Sequence, residues 1–578
     1  MTDSRTSADS ARSSRLPDWL LPLGVFFLLS VIVISPFFWL GTASGHDFEF
    51  HAANWFDVAY QWKQGVLYPR WASWTNHGFG EPRFVFYPPL SWMLGAALTI
   101  LLPGAAVPIA YIILVQSFAG LAAYLLLRKL VVRRAAVFAA AFYATNPNAL
   151  LITYMRSDFA EQLACAFSPL VLLGALRLGG FLEDSPPKRS SIALFAIPFA
   201  AVWLSNAPAG VIASYSMALL FACAAFFQRS WRLLLRGVAG LALSFGLASF
   251  YLVPAAYEQR WVNISQALSS GLLPVQNFLF TQINDPEHTW FNWIASICAL
   301  SLMLLLGLAA LVSRRFATSV SSERNRNVSI ALLLLGGAAT LLTLRFTLPL
   351  WTYLPKLRFV QFPWRWMSVI ALVATCFLAF AMQKRRGWLW FAALLVLSVP
   401  LAYFQVNNTW WDDDEMPTMH DAFDAGQGFD GTDEYDPLGD DHLDLPEDAP
   451  LTKILPADAD DDSSVPQAQV QVQHWSPEHK EIRVNTLTGV RIALRLLNYP
   501  AWRVQVNGSP ITPDHPDNSD QMIIPVQVGA SDIRVDFART LDRKEGNALS
   551  AASGLLTAAL LWFGRRRGQS SSPAKELV

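Results

Sequence analysis

The chain is 578 residues long, 53% hydrophobic and only 15% charged, a composition that excludes an ordinary water-soluble enzyme and fits a polytopic membrane protein. Its formal net charge of −1 hides a segregation: residues 412–462 hold 19 Asp or Glu and one Lys, leaving 42 Lys or Arg against 25 acids elsewhere. The arginine clusters follow membrane topology, and no Walker A, Rossmann glycine or GxSxG motif occurs, so neither a nucleic-acid surface nor a nucleotide fold is indicated.

Apolar windows long enough to cross a hydrocarbon core of roughly 30 Å lie at 19–40, 107–128, 135–152, 161–181, 190–206, 208–228, 237–257, 291–313, 328–348, 366–383, 387–404 and 547–564, which predicts about twelve transmembrane helices. The first is too long for a signal-peptide core and ends in bulky aromatics, so it reads as a retained helix. With the apolar stretch 88–103 taken as interfacial or re-entrant, every basic cluster falls on one side of the bilayer. These clusters run from Arg5, Arg12 and Arg15, through Arg128, Arg133 and Arg314, to Lys384–Arg386 and Arg565–Arg567. The positive-inside bias then puts both termini in the cytoplasm and makes 41–106, 153–160, 258–290, 349–365 and 405–546 external. All four cysteines (Cys165, Cys223, Cys298, Cys376) fall in apolar spans, so no disulfide framework is implied.

Four parts are expected in chain order. Residues 1–404 form the transmembrane domain, with the external loop 41–106 carrying the chemistry. Residues 405–465 are acidic and poor in apolar groups, the pattern of a flexible linker. Within them the run Asp458–Asp462 lacks the EF-hand spacing and glycine, so it reads as solvated. Residues 466–546 hold six short alternating runs (QAQVQVQ, KEIRVNTL, VRIALRLLNY, WRVQVNG, MIIPVQV, DIRVDFA) and read as a small external β-sandwich. Residues 547–578 supply a last span and a basic cytoplasmic tail.

Candidate chemistry concentrates in the first loop, which opens with GHDFEFH. Asp47 is the lead residue, because a carboxylate at a membrane-surface cavity can take a proton from an acceptor hydroxyl. His46, Glu49 and His51 flank it. In an extended segment Asp47, Glu49 and His51 share a face, whereas in a helix Asp47 and His51 lie one turn apart. A divalent metal would find oxygen and imidazole ligands in Asp47, His51 and Asp158, yet the spacing falls short of a metal signature. A structural hydrogen bond is the ordinary role for a histidine here, and His46 or His51 is expected to have it.

External arginines need a reason where positive charge is otherwise kept inside. Arg70, Arg83, Arg156, Arg260, Lys356, Arg358 and Arg365 are that set. Arg358 and Arg365, with Gln361, lie in and beside QFPWRW, where guanidinium groups next to aromatics suit a phosphate head group or an interfacial anchor. In RSDFAEQ, Ser157 reads as the helix cap, Asp158 as a cap, base partner or ligand, and Arg156 and Glu161 as cavity-lining groups. His288, alone in its loop, reads as structural.

Together HD after the first helix, YPRW, GFGEPRFVFYPPL, RSDFAEQ, LRFVQFPWRW and the tail motif YPAWRVQVNG resemble the bacterial membrane proteins labelled 6-pyruvoyl-tetrahydropterin synthase-related. That family is similar to GT-C glycosyltransferases and to YfhO-like membrane proteins, and its label implies no pterin chemistry. The resemblance implies a transferase that draws on a polyprenyl-phosphate-linked sugar donor and acts on an envelope glycan, lipid or protein. Asp47 matches the acidic residue that opens the first loop of GT-C enzymes, with His46 in place of a second acid, which leaves metal dependence open. Loop arginines hold the lipid phosphate in such enzymes, which would suit Arg358 and Arg365. Two rival classes stand beside this one: a flippase of lipid-linked saccharides, and a non-catalytic envelope scaffold on a GT-C-like fold. Against the flippase, the Pro and Gly interruptions are not paired between two halves of the chain.

Overall fold

The computed structural model describes residues 17–182, 188–316, 323–383, 388–412, 415–438, 445–457, 468–515 and 520–569. The basic clusters Arg5/Arg12/Arg15 and Lys384–Arg386 and the acidic run Asp458–Asp462 lie outside the described residues.

Among the described residues, eight helices are long and apolar enough to span a bilayer, and two further bent pairs bring the number to ten. These account for ten of the roughly twelve expected spans. The predicted span 237–257 becomes Trp231–Leu247 and Ser249–Trp261, bent by 77°, and 328–348 continues into Arg345–Tyr353 across a 91° bend. Ser190–Ser205, Ala392–Asn407 and Pro89–Leu101 are apolar but shorter.

Burial within the bundle is uneven. Buried residues make up 78% of the apolar stretch in Phe159–Leu178 and 83% of that in Pro363–Met382, against 28% for Leu20–Leu40 and 11% for Leu541–Gly564. The two innermost helices therefore bring their first turns, and the loops before them, to the middle of one end of the bundle. The loop 41–106 is largely helical there. Phe48–Lys63 packs against Pro89–Leu101, and the two are joined through Asn76–Gly78 and Arg83–Phe86.

The C-terminal region is built of antiparallel strands. We number the strands β1 (Thr42–Ala43), β2 (Trp411–Asp412), β3 (Thr452–Pro456), β4 (Ala468–Trp475), β5 (His479–Thr486), β6 (Val490–Leu497), β7 (Trp502–Val506), β8 (Ser509–Ile511), β9 (Gln521–Val526) and β10 (Gly529–Phe537). One sheet has the order β4-β5-β10-β7-β8 and another β3-β6-β9, while β1 pairs with β2. Burial alternates along β5, with Lys480, Ile482, Val484 and Thr486 inward, as a half-buried strand requires. Residues Asn507 (φ 51°) and Gly508 (φ 79°) close the β7–β8 hairpin. Both adopt positive φ, the reason Asn-Gly favours two-residue hairpins. Apolar residues of both larger sheets join Trp71, Phe79, Val85, Phe86 and Val262 in one core, so the strands rest directly on the 71–86 segment.

The expectation of a poorly ordered linker over 405–465 is corrected by its described residues. A helix spans Glu415–Asp424, and β3 pairs with β6. Met416, Met419, Leu445 and Ala449 are buried, and Phe429 N–H donates to the Trp74 carbonyl at 2.8 Å. Average composition hid these anchors, because apolar groups are sparse there but spaced to reach existing grooves.

Candidate active site

Residues Ile152–Arg156 form a π-helical turn, and Ser157 follows with φ 51°. Such bulges reposition side chains and recur at functional sites. Here the bulge ends one span and lets Asp158 begin the next: its Oδ1 accepts the Glu161 N–H at 2.8 Å. Asp158, not Ser157, is thus the cap. Instead Ser157 Oγ donates to the Ala43 carbonyl at 2.7 Å and accepts the Gly45 N–H at 3.0 Å. Asp47 N–H donates to the Arg156 carbonyl at 2.9 Å. The two segments are stitched together before any side-chain charge is considered.

The charges then converge. Arg156 Nη2 donates to Asp47 Oδ2 at 2.7 Å and to Asp158 Oδ2 at 2.9 Å, while Nη1 donates to Glu161. Arg365 Nε donates to the same Glu161 oxygen at 3.0 Å, and its Nη1 to the Val360 carbonyl and Gln361 Oε1 at 3.0 and 3.2 Å. Arg365 Nη2 is 3.6 Å from Asp158, and His51 Nε2 lies 3.6 Å from the other Asp158 oxygen. The Trp364 ring lies 5.1 Å from the Arg156 guanidinium, and Phe362 lies 4.8 Å from that of Arg365. Burial opposes ionisation of Asp158, but Arg156, His51 and Arg365 outweigh it and hold the carboxyl well below its ordinary range.

Access distinguishes the carboxylates. The side chains of Asp158 and Glu161 are 4% and 3% exposed, and that of Asp47 is 37% exposed. Asp47 stands at the N-terminus of Phe48–Lys63 without a side-chain capping bond, so its second oxygen is open towards solvent.

Other expected site residues lie elsewhere. The segment is a helix, so His51 faces Asp158 while Glu49 is exposed and, among the described residues, has no hydrogen bond or ion pair. His46 is exposed and sits edge-on between Phe291 and Trp410, with ring centroids 4.9 and 5.1 Å away. Desolvation by the surrounding protein, which outweighs the neighbouring Asp47, pushes its imidazole below the ordinary value although one side of the residue faces solvent. Arg358 is exposed above the Phe359 ring, outside the cluster. Arg70 is buried away from it, over Tyr68 and donating to the Phe250 carbonyl at 2.8 Å. Arg365, expected to meet a phosphate, is instead committed to Glu161, Val360 and Gln361.

The metal candidates Asp47, His51 and Asp158 do not make a ligand set. Asp47 Oδ2 and Asp158 Oδ2 both accept from one Arg156 nitrogen. Among the described residues, no three His, Cys, Asp or Glu side chains converge to hold an ion.

A second buried ionic group escaped the sequence reading. Arg83 binds Glu81, Asn54 and Thr432, and Glu81 accepts the Thr432 N–H at 3.0 Å. Burial pushes Glu81 up to about 7. Its signal was the EPR tripeptide, in which two charges share an otherwise aromatic stretch.

The sequence model of the 6-pyruvoyl-tetrahydropterin synthase related domain, described as a membrane protein, matches residues 84–410. No curated protein matches the chain. Among solved structures it is similar to the oligosaccharyltransferase of Archaeoglobus fulgidus in complex with Zn and sulfate, at 17% identity and TM-score 0.43, over 68% of this chain and 53% of that one. It is also similar to AglB from the same organism in complex with an inhibitory peptide and a dolichol-phosphate, at 16% identity and TM-score 0.42, over 68% and 56% of the two chains. The chain thus spans little more than half the length of these structures. The sequence match covers more than half of the chain, and the chain belongs to the 6-pyruvoyl-tetrahydropterin synthase-related family of membrane proteins.

Proposed function

We propose that the chain is a membrane glycosyltransferase of GT-C type. It moves a sugar from a polyprenyl-phosphate-linked donor to an envelope glycan, lipid or protein acceptor on the external face of the bacterial inner membrane. In this reading both termini are cytoplasmic and the two facing β-sheets form an external sandwich. The observation that carries it is the exposure of Asp47, 37% against 4% and 3% for the other carboxylates on Arg156.

An acceptor hydroxyl can meet only the open carboxylate. Asp47 takes the hydroxyl proton as the oxygen attacks the anomeric carbon, and the bond from that carbon to the phosphate oxygen breaks with its electron pair on phosphate. Arg156 is shared by three carboxylates, so it fixes Asp47 rather than the phosphate. Of the two arginines considered for the lipid phosphate, exposed Arg358 is the one left for it, while the isoprenoid stays in the bilayer.

Asp47→Asn keeps an oxygen for Arg156 and removes the base. In a deletion strain complemented at matched protein level, transfer should fall by about 10²–10⁴-fold. The donor should accumulate in mass spectra of lipid-linked saccharides, and one sugar should vanish from the acceptor. Glycans identical to wild type in this variant, beside a defect in the deletion strain, would refute the assignment and favour transport or scaffolding.

A further inference from the structure

We propose that the cavity between the 71–78 segment and the β-sheets is a binding site for a carboxylated sugar ring. The cavity holds about 290 Å³, near the lower end of the range for small-molecule pockets, which suits one ring. It is separate from the Asp47 cluster, and the inference does not rest on the transferase reading.

Its walls are unusually matched to such a ligand. Half-buried Tyr60, Trp74 and Trp475 line it, with buried Trp71 behind them, an aromatic wall of the kind that packs against the C–H face of a sugar. Among the described residues, Trp74 Nε1 and Ser73 Oγ, both on lining residues, are buried without a hydrogen-bond partner. A buried indole N–H normally finds an acceptor, so an orphan in a cavity wall calls for one from outside the protein.

Two cations complete the lining. Lys480 Nζ lies over the Trp502 ring at 4.0 Å, and its one hydrogen bond goes to the Pro477 carbonyl at 2.9 Å. Among the described residues, two of its three N–H donors have no bond. Arg495 bonds the backbone carbonyls of His77, Gly426 and Glu447, not a carboxylate. The lining holds these two basic side chains and, among the described residues, no carboxylate, while Glu478 acts on Lys480 and Asp448 on Arg495 from outside it, so the ligand that complements the wall is rich in oxygen acceptors and carries a carboxylate. Burial pushes the Lys480 ammonium down to about 7. A carboxylate settling beside it would restore its charge.

The test is calorimetric titration of the purified full-length protein in detergent micelles. The probes are a galacturonate trisaccharide, the neutral galactose trisaccharide of the same linkage, and galactose 6-phosphate. The uronate should bind saturably and about tenfold more tightly than either of the others. Lys480→Met keeps the packing over Trp502 and should cost about tenfold in uronate affinity. Trp74→Phe keeps the ring and removes the N–H, and should cost roughly threefold. If Lys480→Met fails to fold, Trp74→Phe and Ser73→Ala carry the comparison. Absence of saturable uronate binding to the wild type overturns the proposal. So does equal or tighter binding of either other probe, or wild-type affinity in the folded variants.

Discussion

A Cβ on Gly45 would lie 2.6 Å from both the Arg156 carbonyl carbon and the Met155 carbonyl oxygen, closer than any real side chain comes to backbone. The atoms in the way belong to the π-turn that carries Arg156, so neither segment can yield without disturbing the hydrogen bonds that join them. Gly45→Ala should therefore separate Asp47 from Arg156. We expect a stability loss of about 1–3 kcal/mol, as overpacking generally causes, together with loss of transfer. Gly24→Ala is the control, since nothing lies within 4 Å of its added methyl, and it should change neither. Thermal unfolding in micelles and donor accumulation in cells read the two effects. A Gly45→Ala protein with wild-type melting and transfer would show that the close approach does not position the site.

The helix Phe48–Lys63 explains why one loop serves several polar groups. Asp47, His51, Asn54, Asp57 and Gln61 recur at spacings of three and four, so they form one stripe. The last four are almost fully buried. Each meets a different partner: His51 faces Asp158, Asn54 accepts from Arg83, Asp57 accepts from the Trp74 N–H, and Gln61 donates to Asp57 and to the Trp71 carbonyl. The Asp47–His51 pairing was visible in the sequence as one of two geometries, and the helix selects between them. The rest of the stripe was not visible, because its partners at 71–83 and 158 come together only in the fold. Burial pushes Asp57 up from 3.8 to about 6. A carboxyl whose pKa rises on folding contributes stability that is full below its unfolded value and lost as pH rises through the folded one. Thermal stability should therefore fall between pH 4 and pH 7, with Asp57 accounting for on the order of 2–3 kcal/mol. Asp57→Asn should flatten that slope without abolishing it, since Glu81, raised to about 7, titrates in the same direction. A slope unchanged by Asp57→Asn would remove Asp57 from the account.

At the scale of the whole molecule, hydropathy located the spans because bilayer length imposes a strong local signal. Eight of the expected windows are long apolar helices and two are bent at 248 and 343–344, whereas Ser190–Ser205 and Ala392–Asn407 carry the same composition in shorter helices, because composition does not report helix length or bending. How the pieces lock together was illegible, since the joint unites residues hundreds of positions apart. Glu258, at the end of the bent helix, accepts from Arg543 Nε and Nη2 at 2.7 Å each and from the Tyr499 hydroxyl at 2.6 Å. Arg543 begins the last helix and Tyr499 sits between β6 and β7, so one fully buried carboxylate ties the bundle, the final helix and the sheets. Removing one partner of a buried ion pair leaves the other uncompensated, at a cost of about 3–5 kcal/mol, whereas replacing both by apolar groups is often nearly neutral. Glu258→Gln should loosen the sheets from the bundle and expose strands β4 to β10 to protease while the spans stay inserted. The double variant Glu258→Leu with Arg543→Met should recover most of the protection, leaving a deficit of roughly 1 kcal/mol for the orphaned Tyr499 hydroxyl. Equal protease sensitivity of Glu258→Gln and wild type would show that the apolar core around Trp71 and Trp502 holds the sheets in place without the ionic joint.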